Sequence, residues 1–318
     1  CKISEIGKAN IKRLIKLSVR YYNQTWEKKF SIMKYIFGVD GGGTGCRVAL
    51  TSQTGQILAK SEGGPANIAT SFNTARKNIL ETCLKALKSA EISKNEITNS
   101  FAVLGLAGSN LGNYAEELTK NLPFSKNIIL NDGEITLEGA IGPSDGCIGA
   151  LGTGSVFVGR KNSNTKLIGG WGFNLSDDGS GSKLGKELMR LSIRCHDGLE
   201  KHSEVTLDLL RNFDNDIKLM IEKTKSFQPK DYALYAPQVF EALKNSDHNA
   251  RNIINSESRI IEKALIATGF SSNKPFCLIG GLGGLFLPHL SKVFRDSAIP
   301  PKGDALEGAI AIALREFQ

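Results

Sequence analysis

Tyr35-Ile36-Phe37-Gly38-Val39-Asp40-Gly41-Gly42-Gly43-Thr44 begins with aromatic and β-branched residues and ends with an acid, three glycines and a hydroxyl. The apolar part, residues 35–39, reads as a short buried strand. Glycine has no Cβ, so a turn built from it brings backbone N–H groups close to an anion. The Asp40 carboxylate beside such a turn suits a Mg²⁺ ion, which keeps several waters when it binds phosphates. After Thr44 a second strand is expected over 46–51, and the turn Gln53-Thr54-Gly55-Gln56 leads to a third over 57–60. Strand, turn, strand is a hairpin; Walker and Rossmann loops lead into a helix instead. Taken alone, a glycine cluster in a hairpin is an ordinary turn.

The same unit recurs about 110 residues later. Cys147-Ile148-Gly149-Ala150-Leu151 is a short apolar strand, followed by Gly152-Thr153-Gly154-Ser155 and a strand over 156–159. A repeated supersecondary unit points to two similar domains. Each would offer a turn of amides and hydroxyls to one phosphate chain. A third element, Ile279-Gly280-Gly281-Leu282-Gly283-Gly284 behind Phe276-Cys277-Leu278, has the strand–glycine–helix form suited to close contact with a flat ligand or a phosphate. A crowded strand-to-helix turn is its bland alternative.

Asp132 stands just past the apolar strand 127–130 and before a helix expected over 133–141. Ligands of open α/β sheets collect beyond the strands' carboxyl ends. Phosphoryl transfer to an alcohol needs a carboxylate there to orient the hydroxyl and take its proton. An N-cap aspartate is the competing reading. Asn67 and Asp177 sit in glycine-rich loops, where function concentrates; by their own residue types they read equally as a turn residue and a helix cap. Trp171 reads as a packing residue.

Charge and cysteine usage exclude several classes. Residues 1–32 carry eight basic and two acidic residues, hence six of the eight net positive charges. A near-neutral body with a basic tail offers no nucleic-acid groove. Met33 stands directly before the first strand, so the biological start is expected there, with 1–32 outside the fold. A basic amphipathic helix through Ile11, Leu14, Ile15 and Leu17 is the alternative. No apolar stretch approaches the roughly 20 residues of a membrane span. The six cysteines are scattered without a Cys-x-x-Cys pair and read as reduced thiols of a cytoplasmic protein, neither disulfide framework nor zinc site.

The ordered set DGGGT, LGTGS and IGGLGG resembles the superfamily of sugar kinases, heat-shock chaperones and actin. Gly64-Pro65-Ala66-Asn67, Asn131-Asp132-Gly133, the run Gly170-Trp171-Gly172-Phe173-Asn174-Leu175-Ser176-Asp177-Asp178-Gly179-Ser180-Gly181 and Gly303-Asp304-Ala305-Leu306-Glu307-Gly308-Ala309 place it in the BadF/BadG/BcrA/BcrD-type ATPase branch, with its glucosamine and N-acetylglucosamine kinases. The resemblance covers about residues 33–318.

It implies an α/β fold of two RNase H-like, actin-like ATPase domains flanking an ATP and sugar cleft. The first would comprise 33–142 with 303–318, the second 143–302. Gly41, Gly42, Gly43, Thr44, Gly152, Thr153 and Gly154 would hold ATP phosphates, and Gly280 and Gly281 would border the adenosine. Asp40 would hold Mg²⁺ through water. Asp132 would be the base and a sugar ligand, with Asn67, Asp177 and Gly108 as further sugar contacts. The implied activity is ATP-dependent phosphorylation of the 6-hydroxyl of glucosamine. N-acetylglucosamine is the alternative acceptor, and an activator ATPase of a redox enzyme the reading from another class. Partners would be the amino sugar and ATP, with a homodimer implied by the family.

Overall fold

A computed structural model describes residues 34–317. The basic extension and Met33 lie outside the described residues. The chain gathers into two compact units, one formed by the described residues up to Asp132 and from Ala309 onward, the other by Gly133–Gly308.

The first unit carries the strands β1 Tyr35–Gly41, β2 Cys46–Ser52, β3 Ile57–Gly63, β4 Ser100–Leu106 and β5 Lys126–Leu130. They form one sheet in the order β3-β2-β1-β4-β5. β1, β2 and β3 are antiparallel, while β4 and β5 run parallel to β1. Burial of Phe37, Val39, Val48, Leu50 and Leu104 follows from apolar runs covered on both faces. Helix α1, Phe72–Ser89, buries Ala75, Ile79, Thr82, Cys83, Ala86 and Leu87. Leu84, which helical spacing groups with that stripe, is 39% exposed because it lies about 100° round the helix from Cys83. Helix α2, Tyr114–Asn121, precedes β5.

The second unit repeats the plan. β6 Gly146–Leu151, β7 Ser155–Lys161, β8 Asn164–Gly169 and β9 Phe276–Ile279 pair in the order β8-β7-β6-β9. β6 and β9 are parallel and the hairpin strands antiparallel. This is the first sheet's β3-β2-β1-β4 arrangement without a fifth strand among the described residues. Both are RNase H-like, as the family resemblance implies. Helix α3, Asp132–Ile141, packs Leu137, Ala140 and Ile141 on Ile148, Val158 and Cys277 of this sheet.

Helices α4 Gly181–His196, α5 Glu204–Arg211, α6 Ile217–Thr224, α7 Pro229–Ala233, α8 Ala236–Lys244 and α9 His248–Ala267 follow. Sequence periodicity gives one helix over 204–223. The structure breaks it at Asp214 and Asn215, whose φ of 55° and 56° are left-handed. Apolar spacing likewise gives one helix over 231–244, and the structure divides it because Pro237 sits in the first turn of α8. Past β9 the chain forms α10 Gly283–Phe286 and α11 Lys292–Ser297.

The last helix, α12 Ala305–Phe317, starts with a reciprocal cap. Glu307 N donates to Asp304 Oδ1 and Asp304 N to Glu307 Oε2, both at 3.0 Å. Its end returns to the first unit, where Phe317 meets Phe101.

Cys46, Cys83, Cys147, Cys195 and Cys277 are buried free thiols. Burial pushes Cys46 up to about 12 and Cys147 and Cys277 to about 11, so these three stay protonated and unreactive. No described helix is long and apolar enough to cross a membrane.

Candidate active site

In the first unit three parallel strands end side by side. Register pairs Asp40 with Gly105 and Gly41 with Leu106, and Gly105 in turn with Leu130. The carboxyl ends of β1, β4 and β5 therefore present Asp40, the Ala107–Gly108 turn and Asp132 on one sheet edge. Asp132 is the first residue of α3 and half-buried. A carboxylate there is favoured by the helix N-terminus.

The β1–β2 turn closes with Gly42 N donating to Gly45 O at 2.9 Å. It is fastened from behind, since Ala66 N donates to Gly42 O and Ala107 N to Gly41 O. Glycine is required at position 41 by packing: a Cβ would stand 2.6 Å from Leu106 Cδ2 and 2.9 Å from Ala66 Cβ. At Gly43 no protein atom lies within 4 Å of the Cβ position, and φ is not in the left-handed range. The fold does not need glycine at that position.

Asp40 is engaged by a residue that sequence reading passed over. Arg47 donates to Asp40 Oδ2 from Nη2 at 2.5 Å and from Nε at 3.1 Å. The pair was legible in principle, because a hairpin centred on Gly43 and Thr44 sets residue 40 opposite residue 47. One carboxylate beside a glycine turn suits Mg²⁺, which takes water and phosphate oxygens as its other ligands. The ion would share Asp40 with Arg47 or displace it.

Asn67 and Gly108 come together. Asn67 Oδ1 accepts from Ala69 N and Thr70 N, both at 3.0 Å, and a Cβ on Gly108 would stand 2.8 Å from that oxygen. With its oxygen committed to the turn, Asn67 can serve a hydroxyl through its Nδ2 hydrogens, as a donor.

In the second unit the Gly152-Thr153-Gly154 turn closes through Gly152 N to Gly154 O at 2.9 Å. Gly181 N and Ser182 N, at the start of α4, donate to Gly152 O and Thr153 O. β6 and β9 end in register at Ala150 and Ile279, so Gly280 stands beside this turn. Leu282 N donates to Leu151 O at 3.0 Å. Gly280 has φ of 82°, and a Cβ would meet Leu151 O at 2.3 Å, whereas Gly281 has nothing within 4 Å.

Asp177 faces this glycine turn. It is buried, has φ of 66°, and its carboxylate accepts N–H bonds from Ser155 and Gly172. Its Oδ2 lies 2.9 Å from where a Cβ on Gly154 would be. Burial raises its pKa despite those two donors. Trp171, expected to pack, is 66% exposed. The left-handed glycines at 169, 170 and 172 turn its backbone away from the core.

Each unit thus gathers its own share of the sequence-predicted residues. Asp40, Gly41, Gly42, Gly43, Thr44, Asn67, Gly108 and Asp132 belong to the first. Gly152, Thr153, Gly154, Asp177, Gly280 and Gly281 belong to the second.

The BadF/BadG/BcrA/BcrD ATPase family matches residues 37–309. The glucosamine kinase of Vibrio cholerae is 27% identical over 282 residues, covering 88% of this chain and 96% of its own. An N-acetylmuramic acid/N-acetylglucosamine kinase of Clostridium acetobutylicum is also 27% identical, over 89% of this chain and 99% of that one. A crystal structure from Chromobacterium violaceum, of a protein proposed to be an N-acetylglucosamine kinase, superposes with a TM-score of 0.80 at 30% identity, covering 89% of this chain and 99% of that one.

Proposed function

The chain belongs to the BadF/BadG/BcrA/BcrD ATPase family, and on that premise we propose that it transfers the γ-phosphoryl group of ATP to the 6-hydroxyl of glucosamine. The observation that carries this reading is the repeated glycine hairpin with positions, Gly43 above all, where packing leaves glycine unexplained. Amides at such positions suit phosphate oxygens.

In this reading Gly41, Gly42, Gly43 and Thr44, with Gly152, Thr153 and Gly154, bind phosphates, and Gly280 and Gly281 border the adenosine. Mg²⁺ at Asp40 supplies neutralisation of phosphate charge. Asp132 orients the acceptor hydroxyl and takes its proton as the new P–O bond forms and the bond from the γ-phosphorus to the departing ADP oxygen breaks. Asn67 donates to a sugar hydroxyl. Asp177, the proposed sugar contact of the second unit, holds the second turn through Ser155 N and the loop beside Trp171 through Gly172 N. The protein is expected to act in the cytoplasm.

N-acetylglucosamine is the second reading, favoured by the acceptors named for the Clostridium and Chromobacterium proteins. ADP release by the purified chain with ATP, Mg²⁺ and glucosamine, N-acetylglucosamine, glucose or no sugar separates them. A signal that needs glucosamine and vanishes in Asp132→Asn supports the proposal. Hydrolysis indifferent to sugar and unchanged in that variant overturns it in favour of an activator-type ATPase.

A further inference from the structure

Arg160, near the end of β7, is half-buried, and each of its three guanidinium nitrogens donates a hydrogen bond. Its Nη1 donates to Glu138 Oε2 at 2.5 Å, Nη2 to Gly142 O at 2.5 Å and Nε to Ser144 O at 3.2 Å. The two side chains are 13% and 1% exposed. Glu138 belongs to α3, and Gly142 and Ser144 follow that helix directly. Lys302 fastens the same end, donating from Nζ to Ile141 O at 3.2 Å and from its backbone N to Ala140 O at 2.9 Å. The carboxyl end of α3 is therefore held by two cations, which its dipole favours.

Stability alone does not account for this pair. A buried ion pair recovers its desolvation cost only with near-ideal geometry, and apolar residues of similar volume often serve as well or better. Apolar contacts on this helix face are present already, through Leu137, Ala140 and Ile141. What a fork-shaped guanidinium adds to such a contact is direction, since it accepts only one approach of its partners.

That direction matters because of where the two elements begin. β7 starts at Ser155, directly after the second glycine turn, and runs five residues to Arg160, about 17 Å. α3 starts at Asp132 and runs six residues to Glu138, about 9 Å. Arg160 and Glu138 join these two arms at their far ends.

We propose that Arg160 is a positioning residue for phosphoryl transfer: through Glu138 and the Gly142 carbonyl it fixes the axis of α3 against β7, and so where Asp132 stands. The inference rests on Asp132 being the general base. Arg160 touches neither substrate nor phosphate. It acts by holding the helix that carries the reacting carboxylate, and a misplacement of about 1 Å at such a group costs on the order of a hundredfold in rate.

The test compares Arg160→Gln, Arg160→Lys, the double variant Arg160→Met with Glu138→Met, and Asp132→Asn. For each, kcat, both KM values and the melting temperature are measured. Arg160→Gln is expected to lose about 10- to 100-fold in kcat with both KM values within about threefold, and Arg160→Lys to recover part of the loss. The double variant, an apolar pair of similar volume, is expected to melt within a few degrees of the wild type and still keep the kcat deficit. If kcat returns with the melting temperature, the pair is structural and the positioning role falls. A raised KM with unchanged kcat also overturns it. Sugar-dependent turnover surviving in Asp132→Asn removes the base assignment itself, an outcome distinct from any result in the Arg160 series. Should Arg160→Gln fail to fold, the double variant decides.

Discussion

Replacing Gly43 by alanine separates ligand demand from fold demand. A Cβ at this position meets no protein atom within 4 Å, and the backbone is not left-handed. Folding should tolerate the methyl, and removal of glycine's freedom from the unfolded chain should add about 0.4–1 kcal/mol of stability. For a chain of this size that raises the melting temperature by no more than about 2–4 °C. Nucleotide binding should move the other way. A methyl group on the ligand side of the turn keeps a phosphate oxygen from the amides, and a hydrogen bond to a charged group is worth about 1.5–3 kcal/mol. The loss converts to roughly 10- to 150-fold in the ADP or ATP dissociation constant. Calorimetric titration of ADP with Mg²⁺, beside a thermal melt of the same samples, reads both quantities. Gly159→Ala is the control: its Cβ would stand 2.2 Å from Thr268 O, so it should lower the melting temperature sharply. Unchanged nucleotide affinity in a well-folded Gly43→Ala protein would refute the claim that this turn holds phosphate.

Three further outcomes are expected. Asp132→Asn should lower kcat by about 10²- to 10⁴-fold while leaving ADP affinity within about twofold, by steady-state assay and titration; a loss of nucleotide binding instead would make it a structural residue. Arg47→Gln removes a competitor for Asp40, and a surface pair is worth up to about 1 kcal/mol, so the Mg²⁺ needed for half-maximal ADP binding should fall by up to about fivefold. A rise would show that Arg47 serves the phosphates. Glu257, buried on α9 with Gly179 N donating to it at 2.7 Å, has its pKa raised mainly by desolvation. The folded state therefore holds that proton more tightly than the unfolded chain, so wild-type stability falls as pH rises above the ordinary glutamate value of 4.5. Glu257→Gln lacks this penalty, and its urea midpoint relative to the wild type should climb from pH 4 to pH 7; a difference that stays constant with pH counts against the assignment.

The hairpins and the position of Asp132 just past a strand end were legible in the sequence because each depends on local chemistry. An apolar run of four to seven residues ending at glycine or an acid has few alternatives as a strand end. Asp304 as a cap was legible for the same reason, with Glu307 three residues on. What escaped depended on contacts distant in sequence. Arg160 and Glu138 are 22 positions apart, and nothing in either neighbourhood marks them as a pair. Asp177 reads as a helix cap or a sugar ligand, yet its carboxylate is held by Ser155 N and Gly172 N, donors that only the folded loop supplies. The breaks at Asp214 and Asn215 were missed because helical periodicity continues across them, and a left-handed backbone at Asp or Asn leaves no trace in the apolar pattern.

Glycine composition carries both kinds of information at once, and only coordinates separate them. Gly139 and Gly308 are fold glycines: a Cβ on Gly139 would meet Asp304 O at 1.9 Å, and one on Gly308 would meet Ile135 O at 1.9 Å. They let α3 and α12 touch backbone to backbone, and alanine at either should cost stability without regard to ligand. Gly43, Gly281 and Gly284 meet nothing within 4 Å and have no left-handed φ, so their stability cost on substitution is predicted near zero. Gly41 and Gly280 lie in the same motifs yet are crowded by Leu106 and Leu151. Within one run, DGGGT or IGGLGG, adjacent glycines therefore answer to different constraints. A scan of alanine substitutions read by melting temperature and by nucleotide affinity should sort them into two groups with little overlap. A single correlated trend across both readouts would mean that the turns bind nothing and serve packing alone.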